Sequence, residues 1–385
     1  MKILYHHRIA SKDGQFVHVE SIVRALEKRG HTVNLVGPST AATIGYGQTS
    51  SAVSLLKRKS PKILYEVLEL AYGLFDYGRV ARAFGRTAPD MLYERYNLHT
   101  LACALLRRRH RVPFLLEVNA SLLRERQQHG GLAWPGLARW SEGLIWQSAD
   151  AILTVTSVLA DDLVASGIAR DKIWAIPNAI DLAQFADPMD LQTAKQRIGL
   201  AGKRVLGFVG FVRDWHGLDQ VIAWLGERGP PDVVLLLVGH GPALPRLQAE
   251  AQRRGVADRF IVTGPVPHDA VPKHVAAFDL AMQPAVVPYA SPLKLLEYMG
   301  MARPIVAPDT PNIREVLTHG HDAWLVGPEE LPDAIDRLLA DDVLRARLGR
   351  EARRTIERLD LTWDRNASRI EEIAESVKKN RCEIR

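Results

Sequence analysis

The chain has 385 residues, 47% of them hydrophobic and 24% charged, with a formal net charge of +6. That balance excludes a disordered, fibrous or membrane-spanning protein and leaves a globular one, long for a single core and comfortable for two. Only two cysteines are present, Cys103 and Cys382, which excludes a disulfide framework or a thiolate zinc site and makes a reducing cytoplasm the expected setting.

No run approaches the ~18 apolar residues of a spanning helix, and Met1 leads straight into Lys2-Ile3-Leu4-Tyr5 without a secretory leader. Charge is uneven. Residues 1–180 hold 23 Lys and Arg against 15 Asp and Glu (+8), leaving 27 against 29 (−2) for residues 181–385. A basic half suits an anionic membrane surface or a phosphorylated ligand. Nucleic acid is not expected as a partner, since there is no zinc-finger spacing, basic heptad region or aromatic-basic repeat.

In chain order, the sequence predicts a strand over Ile3 to Tyr5 and a helix from Gly14 ended by Gly30, with Val17, Val19, Ile22, Val23 and Leu26 on its apolar face. Short apolar runs follow at 32–36, 91–93, 114–118, 151–155 and 173–176, separated by helical patterns near 61–84, 97–109, 135–148 and 157–166. After Pro177-Asn178-Ala179-Ile180-Asp181 the alternation restarts, with strands predicted at 205–209, 233–238, 260–262, 280–283, 304–307 and 324–326, and charged helices beyond Asp341. Repeated strand, helix, strand implies parallel sheets covered on both faces. The expectation is an α/β protein of two doubly wound domains, 1–180 and 181–385, facing across a cleft, the last helix packing back on the first domain.

Ligands of such sheets bind beyond the carboxyl ends of the strands, so the loops there carry the candidates. Ser291-Pro292-Leu293-Lys294-Leu295-Leu296-Glu297 opens a helix, with Ser291 expected as N-cap and Pro292 as first helical residue. Free amides and a positive dipole end favour an anion there. Glu297, among apolar neighbours, is suited to two vicinal hydroxyls; a solvated helix glutamate is the plain alternative. The loop from Gly207 through Gly210 to Gly217 carries Arg213, whose guanidinium can clamp a diphosphate, and His216. A surface ion pair with Asp214 or elsewhere is the plain account of Arg213.

These segments, with DGQFVHVESIVRALEKRGHTV, SADAILTVTSVLADDL and IPNAIDLAQF, together resemble the family-4 retaining glycosyltransferases of the GT-B fold, a group used in polysaccharide biosynthesis. The resemblance covers nearly the whole chain in order. It implies a nucleotide-diphosphate-sugar donor bound mainly by the second domain. Glu297 would hold the ribose, while Arg213, with His216 where such enzymes usually carry lysine, would neutralise the departing diphosphate. Gly210, Tyr289, Ala290, Ser291, Pro292, Leu293 and Lys294 would surround phosphate and sugar. Gly264 and Val266 would border the base, and Gly14 would approach from the first domain. Such enzymes retain anomeric configuration with the leaving phosphate taking the acceptor proton, so no protein nucleophile is implied. The sequence holds no Asp-x-Asp pair for a divalent ion, and no metal or other cofactor is expected.

Two departures from the family stand out. Tyr289 occupies the place of a first glutamate, leaving donor-sugar identity open, and Asn119 the place of a histidine near the reacting sugar. Glu117 shares a strand face with Asn119 and is a secondary catalytic candidate, with a buried ion pair as the equal alternative. On the acceptor side, Arg124, Arg126, Gly130-Gly131 and Trp134 suggest a basic, partly apolar lip.

Lys57, Arg58, Lys59 and Lys62 precede Ile63, Leu64, Val67, Leu68, Ala71, Leu74 and Phe75 at helical spacing. Packing of that face on the sheet is the first expectation, and peripheral docking on an anionic leaflet the second. The expected acceptor is a glycan, lipid-linked or small-molecule hydroxyl. A nucleotide-sugar 2-epimerase and a non-catalytic nucleotide-sugar-binding protein are the alternatives. A nicotinamide oxidoreductase is disfavoured because Gly239-His240-Gly241-Pro242 lacks the third glycine of a dinucleotide fingerprint.

Overall fold

The computed structural model describes residues 1–10, 14–38, 62–129, 132–185 and 189–383. They form two compact units, Met1–Pro177 with Asp364–Arg385, and Asn178–Trp363.

In the first unit the strands are β1 (Lys2–His6), β2 (Thr32–Val36), β3 (Met91–Arg95), β4 (Phe114–Val118), β5 (Ala151–Thr154) and β6 (Ile173–Ala175). They make one parallel sheet in the order β2-β1-β3-β4-β5-β6. β4 is buried throughout, as expected of a strand covered on both faces. The helix expected from residue 97 begins only at Ala102, because His99 adopts a left-handed backbone with φ 62°.

The second unit repeats the plan with β7 (Arg204–Val209), β8 (Val233–Val238), β9 (Phe260–Val262), β10 (Leu280–Met282), β11 (Ile305–Pro308) and β12 (Trp324–Val326). Its parallel order is β12-β11-β10-β7-β8-β9. The chain winds outward from β7 to β9, then returns to the other side of β7 to lay down β10. The boundary between β7 and β10 is therefore the point where winding reverses, and the loops leaving those two strands diverge there to leave room for a ligand. One face of the sheet is packed by Phe278, Tyr298 and Met299, the other by Trp224, Ile222 and Ile335.

The second unit ends at Trp363 rather than at the C terminus, because the final helix, Trp363–Glu383, bonds to the first unit. Glu371 ion-pairs with Arg29 and His31, and Arg381 with Asp150 at 2.8 Å.

The helix Lys62–Thr87 corrects the first expectation made for it. Its apolar stripe does not pack on the sheet: Ile63, Leu64, Val67, Leu68, Leu74 and Phe75 are all exposed. The inward side mixes Val80 and Gly73 with buried acids. Glu66 and Asp76 are completely buried, and each is held by partners from elsewhere in the unit. Glu66 accepts the amides of Ala133 and Trp134 at 2.7 and 3.0 Å, and Asp76 bonds His6 at 2.8 Å. Those bonds fix which way the helix faces, since a buried carboxylate without partners is far costlier than an exposed leucine. Lys57, Arg58 and Lys59 lie outside the described residues, as do Gly130 and Gly131.

Candidate functional site

At the end of β7 the chain enters a loop that only glycines permit. Gly210 has φ 119°. A Cβ at Gly239 would collide with the Gly210 carbonyl, and one at Gly241 with that of Val212. The loops after β7 and β8 thus lie against each other. Val209 donates its amide to the Tyr298 hydroxyl at 2.8 Å, which ties the helix Leu293–Gly300 to the tip of β7.

That helix starts at Leu293, not at Pro292, and Ser291 does not cap it. The Ser291 hydroxyl instead accepts the amide of Asn178 at 3.1 Å, and the Asn178 side chain donates back to the Ser291 carbonyl at 2.5 Å. Asn312 donates to the carbonyls of Val287 and Ala290, and Ala285 donates to the carbonyl of His216 at 3.2 Å. The loop from 283 to 292, which includes the half-buried Tyr289, is pinned on three sides. The first amides of the helix have no carbonyl one turn back within it.

Cations gather at this point. Nζ of Lys294 stands 3.9 Å from the centre of the Phe208 ring and close beside Gly210. Loss of water pulls its pKa down to about 7, against an upward pull from Glu297. The guanidinium of Arg213 lies between the rings of Phe211 and Trp215, 5.1 and 5.0 Å from their centres. Asp214 pairs with Arg246 at 3.0 Å, and among the described residues Arg213 makes no ion pair.

His216, expected to help neutralise a diphosphate, is bonded into its own loop. Its Nδ1 accepts the Arg213 amide at 3.0 Å, so the ring hydrogen sits on Nε2. Burial first, then the charges of Lys294 and Arg213, push its pKa down to about 2. A neutral imidazole orders the loop, and Nζ of Lys294 stands beside Gly210.

Glu297 is buried and its Oε1 lies 3.0 Å from Nε2 of His268. His268 is itself gripped by Gln184, whose amide reaches its Nδ1 and carbonyl at 3.2 and 3.0 Å. No sequence signal marked His268, a single imidazole in a proline-bounded loop. It follows Gly264, at φ 74°, and Val266, which packs on the core.

In the first unit, Glu117 is a hub. His18 Nε2, the Tyr93 hydroxyl and the Asn119 amide reach its carboxylate at 3.0, 2.8 and 2.6 Å, and Arg95 pairs with it at 2.5 Å. Burial alone would raise its pKa, but His18 and Arg95 hold it well below the usual carboxylate range. With its lone pairs taken, the carboxylate holds Asn119 and its other partners in place. Gly14 is exposed at the start of its helix. Arg124 pairs with Asp162 at 3.0 Å, Arg126 pairs with Glu69 through both nitrogens, and Trp134 is exposed.

Among the described residues, His6, Glu94 and Cys103 form one group with converging donor atoms. Both ring nitrogens of His6 are already bonded, to Glu94 at 2.7 Å and Asp76 at 2.8 Å, and Arg79 also pairs with Asp76. Two cations face two carboxylates, which balances the charge without an ion, although Glu94 Oε1 has no hydrogen-bond partner among the described residues.

Comparison with known proteins agrees with this architecture. Residues 12–184 match the family described as Glycosyltransferase Family 4, and residues 203–341 the one described as Glycosyl transferases group 1. The chain is 29% identical to an alpha-D-kanosaminyltransferase of Streptomyces kanamyceticus over 56% of its own length and 58% of that protein's. It is 30% identical to a D-inositol 3-phosphate glycosyltransferase of Xylanimonas cellulosilytica, over 61% and 58%. The matched part spans about half the length of the first of these curated relatives. In fold it is similar to the Anabaena protein HepE, crystallised with UDP and glucose, with a TM-score of 0.76 at 19% identity over 98% of this chain and 100% of that one. Two doubly wound parallel sheets with flanking helices, and family matches along both halves of the sequence, make this chain a member of glycosyltransferase family 4 with the GT-B fold.

Proposed function

We propose that the protein transfers a sugar, with retention of anomeric configuration, from a nucleotide-diphosphate-sugar donor to a hydroxyl of a glycan, lipid-linked or small-molecule acceptor. One observation carries the reading. Two cations, Arg213 and Lys294, stand without ion-pair partners among the described residues at the carboxyl ends of β7 and β10, beside the open amides of Leu293–Gly300. An arrangement of unspent positive charge suits a diphosphate.

Cleaving a glycosyl-phosphate bond builds negative charge on the leaving phosphate, so charge fixed there lowers the barrier directly. Glu297, poised by His268, would accept the ribose hydroxyls. The leaving phosphate would take the acceptor proton on the same face of the sugar, so no protein nucleophile or metal is called for. The transferases among its relatives speak for transfer over epimerisation or binding alone. The reading extends to location, with a cytoplasmic enzyme meeting its acceptor at a membrane surface.

A thermal-shift panel of UDP-, GDP- and ADP-sugars tests the donor. A ligand at 100 times its dissociation constant should stabilise by about 2.7 kcal/mol, and Arg213→Ala should remove the shift and cut turnover about 10²-fold or more. A panel without any shift would overturn the donor assignment. Inversion at the anomeric carbon of the product, read by NMR, would overturn retention.

A further inference from the structure

The outward stripe of the helix Lys62–Thr87 is apolar at one end and basic at the other. At about 100° per residue, positions 63, 64, 67, 68, 74 and 75 fall on one side, and Arg82 and Arg86 continue the same side toward the C-terminal end. Leu74 and Phe75 are 78% and 66% exposed, so no described residue covers most of either side chain. Every carboxylate of the helix lies elsewhere. Glu66 and Asp76 are buried, and Glu69 is paired with Arg126. Trp134, whose amide bonds Glu66, is exposed next to the same helix. No helix of the described residues is long and apolar enough to cross a membrane.

From this we propose that the outer face of Lys62–Thr87 lies in the plane of an anionic bilayer, with Leu74, Phe75 and their apolar neighbours entering the acyl boundary and Arg82 and Arg86 resting on lipid phosphates. The stripe from 63 to 86 is about 35 Å long, enough to lie along a surface. A helix that has oil and basic residues on one side and no acid there fits a negatively charged leaflet and repels neither phase. An exposed tryptophan beside it suits the headgroup level. The assignment rests on the location named above and is independent of the donor site.

Flotation of the full chain with phosphatidylcholine vesicles, with and without phosphatidylglycerol, tests it. Binding should require the anionic lipid and weaken in high salt. Leu74→Ser with Phe75→Ser should lower it at least about tenfold, and Arg82→Glu with Arg86→Glu should abolish the preference for phosphatidylglycerol. Val343→Ser, at an equally exposed position of the other unit, should change nothing. Unchanged nucleotide-sugar thermal shifts in all variants would separate loss of docking from loss of the donor site. Wild-type protein that stays off the vesicles, or binds regardless of these substitutions, overturns the proposal. So does a dimer in sedimentation that dissociates on Leu74→Ser, which would assign the face to a second copy.

Discussion

Lys294 reaches across from its helix to stand over Phe208, the residue of β7 two before Gly210. An ammonium on an aromatic face, short of water and with its pKa pulled down to about 7, would be held in its charged form by an incoming anion. Nucleotide-diphosphate affinity should therefore fall as pH rises through 7, because above it binding must also take up a proton. Calorimetry at matched ionic strength would read this. Lys294→Ala should weaken binding by about tenfold or more, and Lys294→Arg should remove the pH dependence. A flat profile in the wild type would exclude Lys294 from the anion site.

For Glu297 the partner is His268. Glu297→Ala should cost nucleoside affinity about 1.5–3 kcal/mol, the range of a hydrogen bond to a charged group. His268→Ala should cost less, since it removes only the group that orients the carboxylate. The ordering would be measured with UDP and with inorganic diphosphate in parallel. Equal losses for both ligands would mean that Glu297 does not act on the ribose.

Glu117 offers a contrast between chemistry and architecture. Removing it leaves the half-buried Arg95 without its counter-ion, and Glu117→Ala should destabilise the protein by about 3–5 kcal/mol in denaturant melts. A variant with wild-type stability and no turnover would make Glu117 a participant in the reaction instead.

The His6 cluster predicts how stability follows pH. Burial by itself would lower the His6 pKa, but the hydrogen bonds it donates to Asp76 and Glu94 raise it from 6.5 to about 9. A raised folded value means that the stabilisation is whole below 6.5 and is lost as pH climbs through 9. Thermal melts should decline across that window by on the order of 3 kcal/mol, and His6→Gln should flatten the decline. At the acid end the sign reverses, because Asp76 is held below its usual value and its contribution disappears as it protonates.

Both sheets were legible in the sequence because buried parallel strands are written as unbroken Val, Ile and Leu runs, as in Val233–Val238. So were the loop glycines and the stretch around Glu297. What escaped depends on partners distant along the chain. Asn178 takes Ser291 away from its helix across a separation of 113 residues. Spacing showed that Lys62–Thr87 has an apolar side but not which way that side points. The direction was decided by His6, Ala133 and Trp134, none of which is near it in sequence.

Those same bonds deny the protein an escape. Rolling the long helix by half a turn would hide its oil, yet it would take three carboxylates away from His6, Arg126 and the amides of Ala133 and Trp134 and leave those partners stranded. Purified away from lipid, the chain should be sticky in its correctly folded form, and mild detergent should disperse it without unfolding it.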